Sequence, residues 1–393
     1  MNKEADLAPA RLEVVHALAE VEAAQWDELA GGQPFVRHAF LQALETTGCV
    51  SEARGWLPWH LILRKADKRC AALPLYLKHH SRGEFVFDSS WAEAYVRRGG
   101  RYYPKLLTAV PFTPVTGRRL LGAPEDRQAL IEAALNLVRE LGVSSWHCLF
   151  PTEGEAHALA RAGLLLRRGV QFHWHNAGYG SFEDFLAELA RNPRKKIRQE
   201  RRRVREAGVD FQWRSGAEIT EADWRFFERC YRNTYREHGS MPYLNLDFFL
   251  ELGRRLGDHC LLIIAHQHGV PIASALNLFD DQALYGRYWG SLRFVSGLHF
   301  ETCYYQGIEF CIARGLSRFE GGAQGEHKLA RGLVPVTTWS AHWIADAGLR
   351  EAVARFLAQE TEVLADYVAT LNEHTPLRSL ASRLRGNDGE MRE

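Results

Sequence analysis

The residues best suited to carry chemistry lie in one glycine-rich segment, residues 319–332. Four of its fourteen residues are glycines, which let a backbone approach a ligand closely and expose its N–H groups. Transfer of an acyl group to an amine needs a proton acceptor and donors that stabilise the carbonyl oxygen. The candidate acceptors are Glu320, Glu326 and His327, and the candidate donors are Gln324, Lys328 and Arg331. The competing interpretation is a solvated loop with incidental charges.

A strongly basic segment is the second candidate. Residues 193–206 are predicted to form a helix, and four arginines share one of its faces: Arg194, Arg198, Arg201 and Arg205. Only Glu200 is acidic within residues 191–205, so the segment cannot neutralise its own charge. Such a stripe suits the phosphates of a nucleotide, a polyprenyl pyrophosphate or a tRNA backbone. We assign phosphate binding to Arg194, Lys195 and Arg198, against the alternative of a helix whose charges simply face water.

Aromatic residues interleaved with cations form the third candidate. In the N-terminal half they are Trp91, Tyr102, Tyr103 and Lys105, and in the C-terminal half aromatic residues recur as Tyr288, Trp289 and Tyr304. Such groups bind sugars or peptides through stacking and cation–π contacts. We therefore predict that they contact a small-molecule or peptide substrate. Aromatic residues at helical spacing also commonly form a core, and that alternative has equal weight here.

Neither a metal site nor a tightly bound cofactor is predicted. His173 and His175 alternate along a predicted strand and share a face, but the sequence offers no third ligand beside them. The seven cysteines are scattered without a CxxC pair, which argues against a zinc knuckle and a disulfide framework. HExxH, GxSxG, Walker and Rossmann motifs are all absent from the sequence.

The pattern of strands and helices that positions these residues occurs twice in the sequence, as an internal repeat. Residues 61–77 and 261–279 each read as strand, turn, strand, and residues 85–87 and 284–289 each add a further strand. A helical segment follows each time, carrying Tyr102-Tyr103 in one half and Tyr304-Tyr305 in the other, at an offset of about 200 residues. Each half then closes with a short strand and a glycine turn, at residues 115–117 and 319–322. We divide the chain into residues 1–170 and 171–393.

Further helices are predicted from amphipathic periodicity and capping residues. They cover residues 126–141, 221–237, 300–313 and, as a long C-terminal helix, 347–371. The capping box Thr220/Asp223 opens the second of these, and Gly315 ends the third.

Bulk composition limits the classes of partner. The formal net charge of the 393-residue chain is +1, so a nucleic acid could be met only by a local patch. No window approaches the 18 uncharged apolar residues of a membrane span, and the first twenty residues lack a secretory h-region. We expect a cytoplasmic protein with reduced thiols; the sequence does not predict its oligomeric state.

The sequence resembles the FemAB-like family of predicted N-acyltransferases, which carries a peptidoglycan biosynthesis or recognition label within the GNAT superfamily. The resemblance is carried by residues 102–117, which begin Tyr-Tyr-Pro-Lys-Leu, and by residues 299–332. It implies an α/β fold of tandem GNAT-like (acyl-CoA N-acyltransferase type) halves with mixed, splayed sheets flanked by helices. It also implies metal-free transfer of an amino acid from aminoacyl-tRNA to an amine of a peptidoglycan-type precursor, with tRNA on the basic helix. The long helical hairpin arm of Fem proteins has no counterpart in this sequence.

Two other functions remain open from the sequence. Acetyl-CoA enzymes of this fold hold the pyrophosphate with a [Q/R]xxGx[G/A] turn that opens a helix. In the corresponding stretch, residues 293–299, glycine arrives one residue late, at Gly297. The donor is thus either aminoacyl-tRNA or acyl-CoA, and in the second case the acceptor would be a small metabolite or peptide. The third function is non-catalytic binding of cell-wall fragments.

Overall fold

The computed structural model describes residues 11–65, 68–322 and 325–378. Within them, contacts divide the chain into two compact units. The N-terminal unit contains the described residues up to Gly169 together with Thr338–Glu362, and the C-terminal unit contains Val170–Thr337 and the described residues from Val363 onward. The sequence-based division placed all of 171–393 in the second half, whereas contacts group Thr338–Glu362 with the first.

The strands are short and mostly buried. In chain order they are β1 (Arg11–Val15), β2 (Trp56–Pro58), β3 (His60–Lys65), β4 (Lys68–Leu73), β5 (Leu75–Lys78), β6 (Lys105–Thr108), β7 (Leu121–Gly122), β8 (Ser145–Leu149), β9 (Leu165–His175), β10 (Val209–Ser215), β11 (Cys260–Gln267), β12 (Val270–Phe279), β13 (Ala283–Ser291), β14 (Arg318–Glu320) and β15 (Val334–Ile344).

The helices predicted over residues 126–141, 193–206, 221–237, 300–313 and 347–371 are present, and the structure also contains helices that were not predicted. In chain order the α-helices are α1 (Ala23–Ala30), α2 (His38–Thr46), α3 (Ser89–Arg97), α4 (Arg127–Leu141), α5 (Glu153–Arg161), α6 (Phe182–Glu188), α7 (Arg191–Glu206), α8 (Glu221–Glu237), α9 (Leu246–Leu256), the continuous helix α10 (Leu298–Phe300, a π-helical Glu301–Tyr305 and Gln306–Arg314) and α11 (Ala347–Glu373). No helix in the described part of the chain is long and apolar enough to cross a membrane.

Each unit contains a mixed sheet with one parallel pair. In the N-terminal unit the order is β2-β5-β6-β8, completed by Thr338–Ile344 of β15, and β6 and β8 are parallel. A separate antiparallel sheet has the order β1-β3-β4-β7. In the C-terminal unit the order is β10-β11-β12-β13-β14, followed by the end of β9, and β13 and β14 are parallel. The segment joining the parallel strands contains a helix in both units, α4 in one and α10 in the other, as expected for a crossover.

The core of the C-terminal unit lies between its sheet and helices α6 and α10. Trp174 of β9 packs edge-on against Phe185 of α6, and Phe319 of β14 and Tyr305 of α10 are buried in the same cluster. Helix α8 packs against β12 and β13, so closely that a Cβ on Gly290 would lie 1.9 Å from the carbonyl oxygen of Cys230. Glycine at that position is therefore required for the helix to approach the sheet.

The structure contains the predicted internal repeat, but in the N-terminal unit its elements are formed by segments other than those predicted. Residues 85–87 form no strand, since Phe85 has a φ of +61° and Phe87 is exposed. Tyr102 and Tyr103 lie in the extended segment before β6 and not in a helix, and residues 115–117 form no strand either. The counterpart of β13 is thus β6, and α4 takes the place predicted for the helix with the tyrosine pair. In the C-terminal unit the prediction is confirmed: Tyr304-Tyr305 lie in α10 and β14 ends at the glycine turn.

Candidate active site

The C-terminal sheet opens where β13 and β14 separate. The two strands pair in parallel over only three positions, the last being Tyr285 with Glu320. Beyond this pair β13 continues to Ser291 alongside β12, whereas the chain after Glu320 enters Gly321-Gly322. A cavity of about 320 Å³ lies at this opening. A Cβ on Gly286 would sit 3.3 Å from the carbonyl oxygen of Glu320, which is tight, so glycine suits the point of divergence.

Among the described residues, helices α8 and α10 and strands β12 and β13 line the cavity besides the glycine loop, and many of the lining side chains are aromatic. Strands β12 and β13 meet at a register shift between Leu276 and Asn277, which widens the wall. The lining side chains with rings or hydroxyls are Tyr231, Thr234, Tyr235, His238, Ser240, Tyr288, Trp289, His299 and Tyr304, joined by Asn277, Arg287, Cys303 and the backbone of Gly321 and Gly322. The predicted residues Tyr288, Trp289 and Tyr304 are thus brought together here.

Lys328 supports the glycine loop from within. Its Nζ donates a hydrogen bond of 2.8 Å to the carbonyl oxygen of Gly322, and the side chain is buried. Burial lowers the pKa of Lys328 to about 8. Lys328 therefore fixes the backbone that lines the cavity and places a readily deprotonated ammonium group beside it.

Glu320 lies directly below the divergence and is almost completely buried. Its Oε1 accepts a hydrogen bond of 3.0 Å from Nε of Arg318, while its Oε2 lies 3.8 Å from Nε2 of His173. Within the described residues, neither Oε2 nor that Nε2 has a hydrogen-bond partner. Burial raises the pKa of Glu320 to about 7, against the lowering effect of Arg318, and burial lowers the pKa of His173 to about 3. A buried carboxyl group that titrates near neutrality is a candidate acid or base.

His327 reaches the cavity through Tyr304. Its Nε2 lies 3.2 Å from the hydroxyl of Tyr304, and Tyr304 lines the cavity. Burial, followed by the charges of Arg331 and Lys328, lowers the pKa of His327. The imidazole is thus neutral at physiological pH and can accept a proton.

Glu326 and Arg331 are not among the residues that line the cavity. Glu326 accepts a hydrogen bond of 2.7 Å from the exposed hydroxyl of Tyr367. Arg331 is buried, with its guanidinium 3.4 Å from the ring centre of Phe300, and its Nη2 donates to both carboxylate oxygens of Glu200 at 3.0 and 3.1 Å. These contacts identify Arg331 as a structural residue that ties the loop to α7. Gln324 lies outside the described residues.

Helix α7 forms one wall of a second, basic cavity of about 1040 Å³. Its inward residues are used for packing: Glu200 binds Arg331 and the hydroxyl of Tyr305, and Arg201 pairs with Glu301 and Glu309. The outward cations line the cavity, namely Arg191, Arg194, Lys195, Arg198, Arg202 and Arg205. Arg194 donates a hydrogen bond to the carbonyl oxygen of Leu189, and Arg198 pairs with Glu183. Most of these outward cations are exposed. Because Glu200 points inward and Glu206 stands at the C-terminal end of α7, where it pairs with Arg202, the outer face of the helix is predominantly basic.

The predicted ligand residues of the N-terminal unit are buried. Lys105 has no exposed surface and binds Glu84 at 2.8 Å and Asp88, whose carboxylate also accepts a hydrogen bond from Tyr102. Trp91 packs in the core against His342, and Tyr103 is half-buried. The cationic and aromatic groups thus satisfy one another inside the unit, and the contact of these residues with a substrate stays a prediction.

Sequence reasoning missed several residues at both places. In the cavity they are Tyr231 and Tyr235 of α8 and Asn277, and in the N-terminal unit they are Glu84, Asp88 and the hydrogen-bonded pair His147 and His342. The tyrosines follow helical spacing on α8, so their pattern is that of a core face. Among the described residues, no group of three or more His, Cys, Asp or Glu side chains could hold a metal ion.

Known structures agree with this arrangement of strands. The C-terminal domain of a putative lysylphosphatidylglycerol synthetase from Agrobacterium fabrum has 11% identity and a TM-score of 0.52, covering 87% of this chain and 97% of that chain. L-PGS from Bacillus licheniformis has 10% identity and a TM-score of 0.53, covering 85% and 95%. The crystal structure of FemX has 11% identity and a TM-score of 0.52, covering 87% and 100%. At these identities the likeness shows the fold alone.

Two mixed sheets, each with one parallel pair joined through a helix, define a tandem GNAT-like α/β fold. Residues 17–379 match the model of the FemAB-like family, described as peptidoglycan biosynthesis/recognition. The chain belongs to this family. Among curated proteins, no significant match was found.

The raised pKa of Glu320 gives a prediction for stability. Between the ordinary pKa of 4.5 and the folded value of about 7, the unfolded chain loses this proton while the folded protein keeps it. Wild-type stability therefore falls with rising pH in that window, and Glu320→Gln should remove the loss. We expect the free energy of unfolding of E320Q to rise relative to wild type by about 3 kcal/mol between pH 4 and pH 8. Urea unfolding at both pH values measures this difference, and parallel pH profiles for the two proteins would contradict it. The exposed Glu351→Gln serves as the control.

Proposed function

We propose that this protein is an N-acyltransferase that transfers an acyl or aminoacyl group to an amine of a peptidoglycan-type precursor. The observation that carries the proposal is the cavity at the divergence of β13 and β14. It combines a glycine-rich backbone edge with a neutral imidazole that reaches the interior through a tyrosine hydroxyl. Membership of a family described for peptidoglycan biosynthesis/recognition supports the choice of acceptor.

The reaction needs only groups that this site offers. The acceptor amine attacks the carbonyl carbon of the donor ester or thioester, a C–N bond forms, and the carbonyl oxygen becomes an oxyanion. His327 accepts the amine's proton, either directly or through the hydroxyl of Tyr304. The N–H groups of the Gly321-Gly322 loop, which Lys328 holds in place, can stabilise the oxyanion. Collapse of the intermediate expels the donor oxygen or sulfur, which takes up a proton.

The basic cavity beside α7 supports aminoacyl-tRNA as the donor. Its cations are exposed, and a run of arginines and lysines suits a phosphodiester backbone. Helix α10 contributes to both cavities, with Glu301 and Gln306 in the basic one and His299, Cys303 and Tyr304 in the other. A donor that bound along α7 would therefore lie next to the helix that walls the transfer site.

The packing at Gly297 favours this donor over CoA. In a CoA-dependent enzyme of this fold the pyrophosphate would meet the start of α10. A Cβ on Gly297 would lie 3.4 Å from a methyl group of Val204 and 3.6 Å from the carbonyl oxygen of Glu200. Helix α7 thus packs against the start of α10, which leaves less room for a pyrophosphate. CoA remains the alternative donor, and a thermal shift of the protein by CoA would support it.

The first prediction concerns the proton acceptor. With aminoacyl-tRNA and an amine-bearing cell-wall precursor as substrates, His327→Gln should lower kcat by about 100- to 10,000-fold, because general base catalysis contributes that much. Tyr304→Phe should lower it less, since the imidazole remains. Mass spectrometry of the acceptor measures the added acyl mass. His374→Gln, which changes an exposed histidine that bonds to its own helix, is the matched control.

Two outcomes would contradict the proposal. Wild-type protein that transfers no acyl group from aminoacyl-tRNA or acyl-CoA donors would favour a non-catalytic binding protein, above all if it still binds cell-wall fragments. Full activity in H327Q would leave acyl transfer intact but remove His327 as the base, and Glu320→Gln would then become the variant to measure.

The second prediction concerns the basic helix. The triple variant Arg194→Ala/Lys195→Ala/Arg198→Ala should bind aminoacyl-tRNA more weakly and reduce the slope of log K against log salt by about 2 to 3, because each lost phosphate contact removes about one released ion. Filter binding at several salt concentrations measures the slope. The triple variant Arg225→Ala/Arg229→Ala/Arg232→Ala removes three exposed cations from α8 and should leave the slope unchanged. Equal slopes for wild type and the α7 variant would exclude the helix as the tRNA site.

A further inference from the structure

The cavity at the divergence of β13 and β14 also has a definite chemical character. We infer that the acyl group it takes is bulky, uncharged and apolar or aromatic, and that cationic and glycine-sized groups are poor substrates. This inference rests on the proposed function, because it concerns the group that is transferred. It follows from the size, the ring content and the charges of the lining.

The size of the cavity excludes a very small group as its best occupant. A volume of about 320 Å³ holds about ten water molecules at 30 Å³ each. The donor ester and the acceptor amine occupy part of this space, and beside them a glycyl group would leave the apolar part of the lining in contact with water. A group with a large apolar side chain displaces that water and covers the apolar surface of the lining.

Aromatic rings form two groups in the lining, one beside α8 and one beside α10. On the α8 side, Tyr231 lies with its ring centre 4.8 Å from that of Tyr235 and 5.2 Å from that of Tyr288. On the α10 side, Trp289 lies 5.2 Å from His299, which in turn lies 5.6 Å from Tyr304. Flat or apolar groups fit between such rings through offset and edge contacts.

Rings alone would also attract a cation, but the charges around this cavity oppose one. Among the described lining residues no carboxylate occurs, and the formally charged side chain is Arg287. Its guanidinium lies 4.9 Å from the ring centre of Tyr288, so the cation-binding face of that ring is already occupied. Lys328 adds positive charge behind the glycine loop.

Imidazole groups do not supply a compensating negative charge either. Burial lowers the pKa of His299 to about 4, so its ring is neutral at physiological pH. The formal charge of the described lining is therefore positive. This disfavours a lysyl-type side chain, and it favours the neutral, nucleophilic form of the acceptor amine.

The test compares three acyl groups on one donor body. A single tRNA is charged with phenylalanine, glycine or lysine, and the same three groups are also prepared as CoA thioesters. With wild-type protein we expect kcat/KM for the phenylalanyl donor to exceed both others by at least 10-fold. Equal or faster transfer of the glycyl or lysyl group overturns the inference, whereas no transfer from any of the six donors contradicts the proposed function instead.

A charge reversal tests the electrostatic part separately. Arg287→Glu should raise the ratio of lysyl to phenylalanyl transfer by at least 10-fold, and Arg287→Gln should raise it less. Arg229→Glu makes the same change of charge at an exposed position of α8 and should leave the ratio unaltered. An unaltered ratio in a folded R287E protein overturns the electrostatic argument, and if R287E does not fold, R287Q and the wild-type ranking of donors decide.

Discussion

The short parallel pairing of β13 and β14 is the constraint on which the candidate site depends. Three paired positions hold the strands together; after Tyr285 and Glu320, β13 continues alongside β12, whereas β14 ends and the chain turns at Gly321-Gly322. Backbone edges in that gap cannot bond to one another, so they are available to a ligand. Gly286 allows β13 to lie close to the backbone of Glu320. The Gly321-Gly322 turn allows the chain to leave the sheet immediately after β14.

Buried charges hold the helices around that gap. Glu200 joins α7 to Arg331 and Tyr305, and Arg201 joins it to two glutamates of α10. Removal of one partner would leave a buried charge without compensation, which is more costly than loss of the attraction itself. These pairs also affect the outer surface of α7, since they withdraw Glu200 from it; the other acidic residue, Glu206, lies at the end of a predominantly basic face.

The sequence allowed the fold class to be predicted, because strand-turn-strand patterns, the capping box at Thr220 and the stop at Gly315 are local signals. The register of the N-terminal repeat was wrong, since aromatic pairs at a similar offset occupy different elements in the two units. The roles within the glycine-rich loop could not be separated from sequence: Lys328, Arg331 and His327 are close neighbours in the chain but face a backbone carbonyl, a carboxylate and a tyrosine. Long-range partners decide such roles. Tyr231 and Tyr235 were not predicted to line the cavity, because their spacing on α8 is that of any helix face that packs in a core.

The most direct test of the central claim is a crystal structure with an unreactive donor analogue, an aminoacylated adenosine in which an amide replaces the ester. The account predicts electron density for the acyl carbonyl between β13 and the Gly321-Gly322 loop, with the acyl side chain against Tyr288 and the α-carbon within reach of Tyr304. Density for the analogue elsewhere in the protein, with this cavity filled by water alone, would contradict it.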